Sequence, residues 1–164
     1  ADCAVPATGD VRRPAFRTCN DFTAGSGHGR VRRELEARGY RAEQLLGRRH
    51  AIVNVWRSIG DVAETTSLAL ADAGSICSED LVETDLVHRD RVGEIYELTH
   101  RPYHRWHYFS RLAPEEAVLI KVFDSLERGV ARFTAHAAFE DGEGPARASA
   151  RESIEARAIV IFPD

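Results

Sequence analysis

The sequence predicts a mainly β protein, an antiparallel sandwich or jelly roll with one or two N-terminal helices. Three observations carry this reading. About seven short runs rich in β-branched and aromatic residues follow residue 50. Turn-like segments separate them, with no helices in between of the kind a βαβ fold requires. The one stretch with helical spacing precedes them all.

Residues 1–15 are rich in Ala, Pro, Gly and Asp and read as an extended arm. Residues 17–23 form a short extended piece before a Gly/Ser turn. Val31, Leu35, Leu45 and Leu46 recur among charges at helical spacing, and Gly39 interrupts them. Ala51–Arg57 is β-branched and aromatic, a strand. Ser67–Asp72 is a weaker strand. Val92–Leu98 alternates, and Arg105–Ser110 is a further strand. Pro114-Glu115-Glu116 is a turn feeding the apolar run Ala117–Phe123, and Asp124-Ser125 reads as a turn cap. Gly129 opens a strand over Val130–Phe139. Residues 142–150 are a loop of small and charged residues, and Ile154–Phe162 closes the chain as an apolar strand.

At 164 residues the chain fits a single domain over 1–164. A composition of 43% hydrophobic and 29% charged residues is that of a soluble globule. No apolar run approaches the ~20 residues of a membrane span. The net charge is −4, and the arginines are not gathered into a tail or stripe, so a nucleic-acid partner is not expected. Cys3, Cys19 and Cys77 are odd in number and widely spaced. That argues against a disulfide framework or a CxxC metal knuckle and suits a reducing cytoplasm.

Several residues could carry chemistry. His100, His104 and His107 lie close together, but on a strand an odd offset sends two side chains to opposite faces, so packing explains them best. His136 lies mid-strand between small residues, either a satisfied core histidine or a pocket residue. Alone, Asp21 reads as a turn or cap aspartate and Arg151 as a surface charge. Taken together they gain meaning. A non-haem Fe(II) oxygenase needs two histidines and a carboxylate on one face of the metal. An Arg-x-Ser just beyond the last ligand suits the far carboxylate of 2-oxoglutarate, because a guanidinium fork matches a carboxylate. Asp21, His136, Arg151 and Ser153 fall in that order.

Six blocks carry a resemblance. They are Asn54-Val55-Trp56-Arg57, residues 68–73, 104–109, 119–125 and 131–141, and Arg151-Glu152-Ser153-Ile154-Glu155-Ala156-Arg157. In this order they resemble the hydroxylase/desaturase family of fungal and actinobacterial secondary metabolism. That family includes gibberellin desaturases, the asa-cluster type of hydroxylase/desaturase and the cephamycin 7-methoxylation component. The resemblance implies a double-stranded β-helix that uses Fe(II), O2 and 2-oxoglutarate on a small secondary metabolite. It implies Asp21 and His136 as metal ligands, Arg151 and Ser153 as the cosubstrate grip, and Asn54 and Arg57 as pocket-lining residues on one strand. The family shows His-x-Asp where this chain has Cys19-Asn20-Asp21, so Cys19 is expected either as a thiolate ligand or as a mark of lost activity. The alternative is a catalytically impaired relative that binds a small molecule or a partner biosynthetic enzyme. Methionine is absent and only a short segment precedes Asp21, so the chain is expected to lack the family's N-terminal region.

Overall fold

The structure, a computed structural model, describes residues 15–60, 66–140 and 151–163. The expected arm, up to residue 14, and the loop over 142–150 lie outside the described residues. The strands are β1 (Cys19–Asn20), β2 (His50–Ser58), β3 (Ser67–Ala71), β4 (Leu81–Val87), β5 (Val92–Leu98), β6 (Trp106–Tyr108), β7 (Val118–Asp124), β8 (His136–Phe139) and β9 (Ser153–Ile161). Two helices, α1 (Ala24–Ala37) and α2 (Ala42–Leu46), lie between β1 and β2. The strands form a six-stranded sheet of order β4-β5-β1-β8-β3-β6 and a three-stranded sheet of order β7-β2-β9. Every pairing is antiparallel.

The two sheets share one core. Ile52 and Trp56 from β2 and Val118, Ile120, Val122 and Phe123 from β7 meet Leu68 and Leu70 of β3. Fully burying a side chain such as Ile52 or Phe123 is worth about 1.5–3 kcal/mol. Helix α1 adds Val31 and Leu35 to the same cluster.

The helix begins earlier than its apolar spacing suggests. Thr23 caps it by accepting from the Ser26 amide, and the Ser26 hydroxyl accepts from the Thr23 amide. This box offsets the poor helix propensity of Gly25, Gly27 and Gly29. Gly27 is there for contact, since a Cβ would sit 2.3 Å from the Phe123 ring. The break at Gly39 is as expected. Gly39 has φ +79° and donates to the Glu36 carbonyl, while the Tyr40 amide donates to Leu35, a glycine-closed helix end.

Three expectations are corrected. Strand β4 was not foreseen. It pairs only with β5 at the sheet's edge, where Val82 and Val87 are exposed, so it lacks the alternation of a half-buried strand. The strand expected over Val130–Phe139 is regular only from His136. And Cys19 is disulfide-bonded, so the odd cysteine count does not exclude a bridge. The histidine cluster is structural. The imidazole of His104 donates through Nε2 to Asp80 at 3.0 Å, beside Arg101 and Tyr103 on the same carboxylate. Asp124 is a turn cap, accepting the Leu126 amide at 3.0 Å while Arg49 and Lys121 pair with it. No helix among the described residues is long and apolar enough to cross a membrane.

Candidate active site

The site forms where β1, β8, β2 and β9 bring their polar side chains together. The ladder β1–β8 sets Cys19 opposite His136. Asp21 follows β1 at once, so it reaches the same region. On the other sheet the ladder β2–β9 sets Asn54 opposite Arg157 and Trp56 opposite Glu155. Paired residues of antiparallel strands share a face, so Asn54, Arg157 and Glu155 all point inward.

Asp21 and His136 face each other, with Oδ1 and Nε2 3.8 Å apart. The other atoms of each are already held. Asp21 Oδ2 accepts from Asn54 Nδ2 at 2.6 Å and from an Arg157 terminal nitrogen at 2.6 Å. Arg157 Nε donates to Asn54 Oδ1 at 2.9 Å, which closes a ring of three side chains. The Arg157 guanidinium also lies over the Phe22 ring. His136 Nδ1–H donates to the Thr134 carbonyl at 2.9 Å. That bond leaves Nε2 as the lone-pair nitrogen and turns it toward Asp21.

This is the outer support a metal-ligating pair needs: a carboxylate with one oxygen tied back, and an imidazole whose far N–H meets a carbonyl. Divalent first-row ions take N and O donors at about 2.0–2.2 Å. One ion therefore spans the 3.8 Å between Oδ1 and Nε2. Among the described residues, however, no group of three His, Cys, Asp or Glu side chains is gathered to hold a metal. Asp21 and His136 thus supply one oxygen and one nitrogen donor toward a common point. Cys19 lies beside His136 in the ladder, but its sulfur is in a disulfide and presents no thiolate.

Glu155 sits beside this pair. Burial, and then the neighbouring Asp21 charge, push its carboxyl up, against the pull of His136 and Arg157. Two carboxylates here thus share one close guanidinium, with Arg157 3.5 Å from Glu155.

Arg151 approaches from the other end of β9's inner face. It lies four residues before Glu155, about 13 Å along an extended chain. Its guanidinium stacks on Trp56 and donates to the Thr66 carbonyl, and its buried Nε has no hydrogen-bond partner among the described residues. Burial alone pushes its pKa down. A buried guanidinium with an orphaned N–H suits an anion. Ser153 lies on the same face of β9 and pairs with Ser58.

The structure brings Asp21, His136 and Asn54 together and places Arg151 and Ser153 along the same strand face. It does not bring in Arg57. Arg57 is three residues from Asn54, so it points out of the sheet, exposed. Arg157, Glu155 and Thr134 were not singled out from sequence. The signal for two of them was present: Ser153, Glu155 and Arg157 are polar at every second position of an otherwise apolar strand.

The family described as "Oxidoreductase/YMDC permease-like domain" matches residues 3–161. The chain is 37% identical over 137 residues to "Hydroxylase/desaturase asaB" of Aspergillus flavus, covering 75% of this chain and 60% of that one. It is 34% identical over 124 residues to "Aspirochlorine biosynthesis protein N" of Aspergillus oryzae, covering 74% and 52%. The chain thus spans about half the length of the curated relatives it matches. Among solved structures it is similar to the "iron and alpha-ketoglutarate-dependent endoperoxidase NvfI", with TM-score 0.84 and 26% identity over 95% of this chain and 57% of that one. The mainly antiparallel β architecture with few helices agrees with that jelly-roll neighbour and with the expected fold class.

Proposed function

The chain belongs to the family described as Oxidoreductase/YMDC permease-like domain, and we propose that it is a non-haem Fe(II)/2-oxoglutarate-dependent hydroxylase or desaturase acting on a small secondary metabolite. The observation that carries the reading is the facing pair of Asp21 Oδ1 and His136 Nε2, each with its remaining polar atom tied back. Similarity to enzymes named hydroxylase/desaturase and to an iron and alpha-ketoglutarate-dependent enzyme supports it. A cytoplasmic location, expected from the sequence, sits against the disulfide at Cys19, because such bridges are rare in a reducing compartment.

In this reading His136 and Asp21 hold the iron, and Arg151 with Ser153 grips the far carboxylate of 2-oxoglutarate. Iron so held supplies oxygen activation and removal of hydrogen from an unactivated C–H bond. The chain's own work is positional. Asn54 and Arg157 fix the Asp21 carboxylate so that Oδ1 alone faces the ion. The Thr134 carbonyl fixes the His136 tautomer. Trp56 stacks on Arg151 and keeps its guanidinium away from water. Reduced Cys19 is the proposed third ligand, and in the disulfide it cannot serve.

The test is anaerobic addition of Fe(II) and 2-oxoglutarate to this chain and to Cys19→His, watching for the visible charge-transfer band. A band in this chain supports the reading. A band in Cys19→His alone means the family pocket without a working iron site, the impaired alternative. No band in either overturns the reading.

A further inference from the structure

Arg157 has a second environment. It also lines a groove of about 470 Å³ between α1, α2 and β9. That volume is in the range of small-molecule sites. Leu35, Leu45, Ile159 and Ile161 make its apolar floor, and Tyr40 stands at its edge. The rest of the lining is Arg30, Arg38 and Glu34. Arg30 and Arg38 both pair with the single carboxylate of Glu34. Arg157 is occupied by Asp21. One positive charge at the rim therefore has no anion of its own in the lining. Burial and the neighbouring Arg157, Arg33 and Arg91 push the Arg30 guanidinium down, against the pull of Glu34.

We propose that this groove binds a small molecule with an apolar body and one carboxylate. The body lies on Leu35, Leu45, Ile159 and Ile161, and the carboxylate lies at Arg30 and Arg38. The charge excess selects an anion, and the apolar floor selects a body without polar groups along its length. Because Arg157 lines the groove and also holds Asp21, a molecule in the groove lies one side chain from the Asp21–His136 pair. The inference deepens the reading above by naming the class of molecule the site takes, and its functional meaning rests on that reading.

Titration of the ¹⁵N-labelled chain with decanoate, decanol and decylammonium, each below its micellar concentration, tests it. Decanoate is expected to give saturable shifts in the submillimolar range at Leu35, Tyr40, Leu45 and Ile159. Decanol and decylammonium are expected to bind about tenfold more weakly. The double variant Arg30→Gln/Arg38→Gln should weaken decanoate by about the same factor. Glu34→Gln removes the competing carboxylate and should tighten it, which keeps the test open if the double variant does not fold. Equal binding of the three probes, or saturable shifts that avoid the groove, overturns the inference. Decanoate binding without the iron band sinks only the oxygenase reading, and the band without decanoate binding sinks only this one.

Discussion

Asp21 Oδ1 and His136 Nε2 stand 3.8 Å apart, Asp21 just after β1 and His136 on β8, neighbouring strands of the six-stranded sheet. The atom behind each is already held, Oδ2 by Asn54 and Arg157 and Nδ1–H by the Thr134 carbonyl. The pair is thus aimed by strands far apart in sequence. As the proposed metal ligands, each should be essential for metal binding. His136→Ala and Asp21→Ala are each expected to lose the iron and 2-oxoglutarate band and all turnover, with the far-ultraviolet spectrum unchanged.

Arg157 is a positioning residue and not a ligand. Its loss frees Asp21 Oδ2 and leaves Asn54 Oδ1 without its donor. Changes to such supporting residues cost about 10–100-fold in metal affinity. Arg157→Ala should fall in that range in a Co(II) titration. Arg157→Lys should recover only part, because an ammonium cannot bond Asp21 and Asn54 as a planar fork does. Equal metal affinity in all three proteins would remove Arg157 from the site.

Arg151 should govern the cosubstrate and not the metal. Its stack on Trp56 and its orphaned Nε favour an incoming carboxylate. Arg151→Gln is expected to raise the 2-oxoglutarate Kd by about tenfold or more while Co(II) affinity holds. A change in metal affinity alone would contradict that assignment.

How much of this was legible in the sequence depends on burial. Strands β2 and β7 were readable because their residues are apolar and pack in one core. Strand β4 was not, because it lies at the sheet's edge with Val82 and Val87 exposed and so lacks a clean alternation. Helix α1 starts about two turns before Val31, its first apolar position in the helical spacing, since its first turns are glycine-rich and owe their form to the Thr23–Ser26 box and to contact with Phe123. Asp21 and His136 came from resemblance, not from local pattern. The clamp of Asn54 and Arg157 depends on the β2–β9 register, which joins residues 103 apart in the chain. No local window contains that information.

Gly27 is a stability prediction. A methyl there would sit 2.3 Å from Phe123, a ring that also packs edge-on to His28 and tilted against His50 and Phe133. Neither the helix nor this ring has room to give. Overpacking of this kind costs about 1–3 kcal/mol or more. Gly27→Ala should lower the urea midpoint at unchanged m-value, even though alanine is the better helix former.

Asp80 predicts an acid limb. The His104 bond holds its carboxyl well below the usual range, and the Cys77 amide, Arg101 and Tyr103 add to it against the cost of burial. A folded-state value below the unfolded one, about 3.9, stabilises the fold fully above that pH. The contribution then drains away as pH falls. Asp80→Asn should destabilise the protein at pH 7 and flatten the loss of stability below about pH 4. Unfolding followed by circular dichroism from pH 7 to 2 measures both.

Cys19 is the proposed third metal ligand, and its oxidation state makes the proposal testable. It lies opposite His136 in the β1–β8 ladder and two residues before Asp21, so its side chain belongs to the ligand face. As a disulfide it has no thiolate to give. Reduction by a dithiol adds two electrons and two protons to the bridge and frees a thiol there. The reduced chain should then bind Co(II) more tightly than the oxidised chain and show a thiolate-to-cobalt charge-transfer band. Cys19→Ser should lack the band under either condition. Cys19→His should bind Fe(II) at least as well as the reduced chain, and without dependence on reductant. Identical metal affinity before and after reduction would place the third position elsewhere, and Glu155, close to both Asp21 and His136, would be the next residue to change.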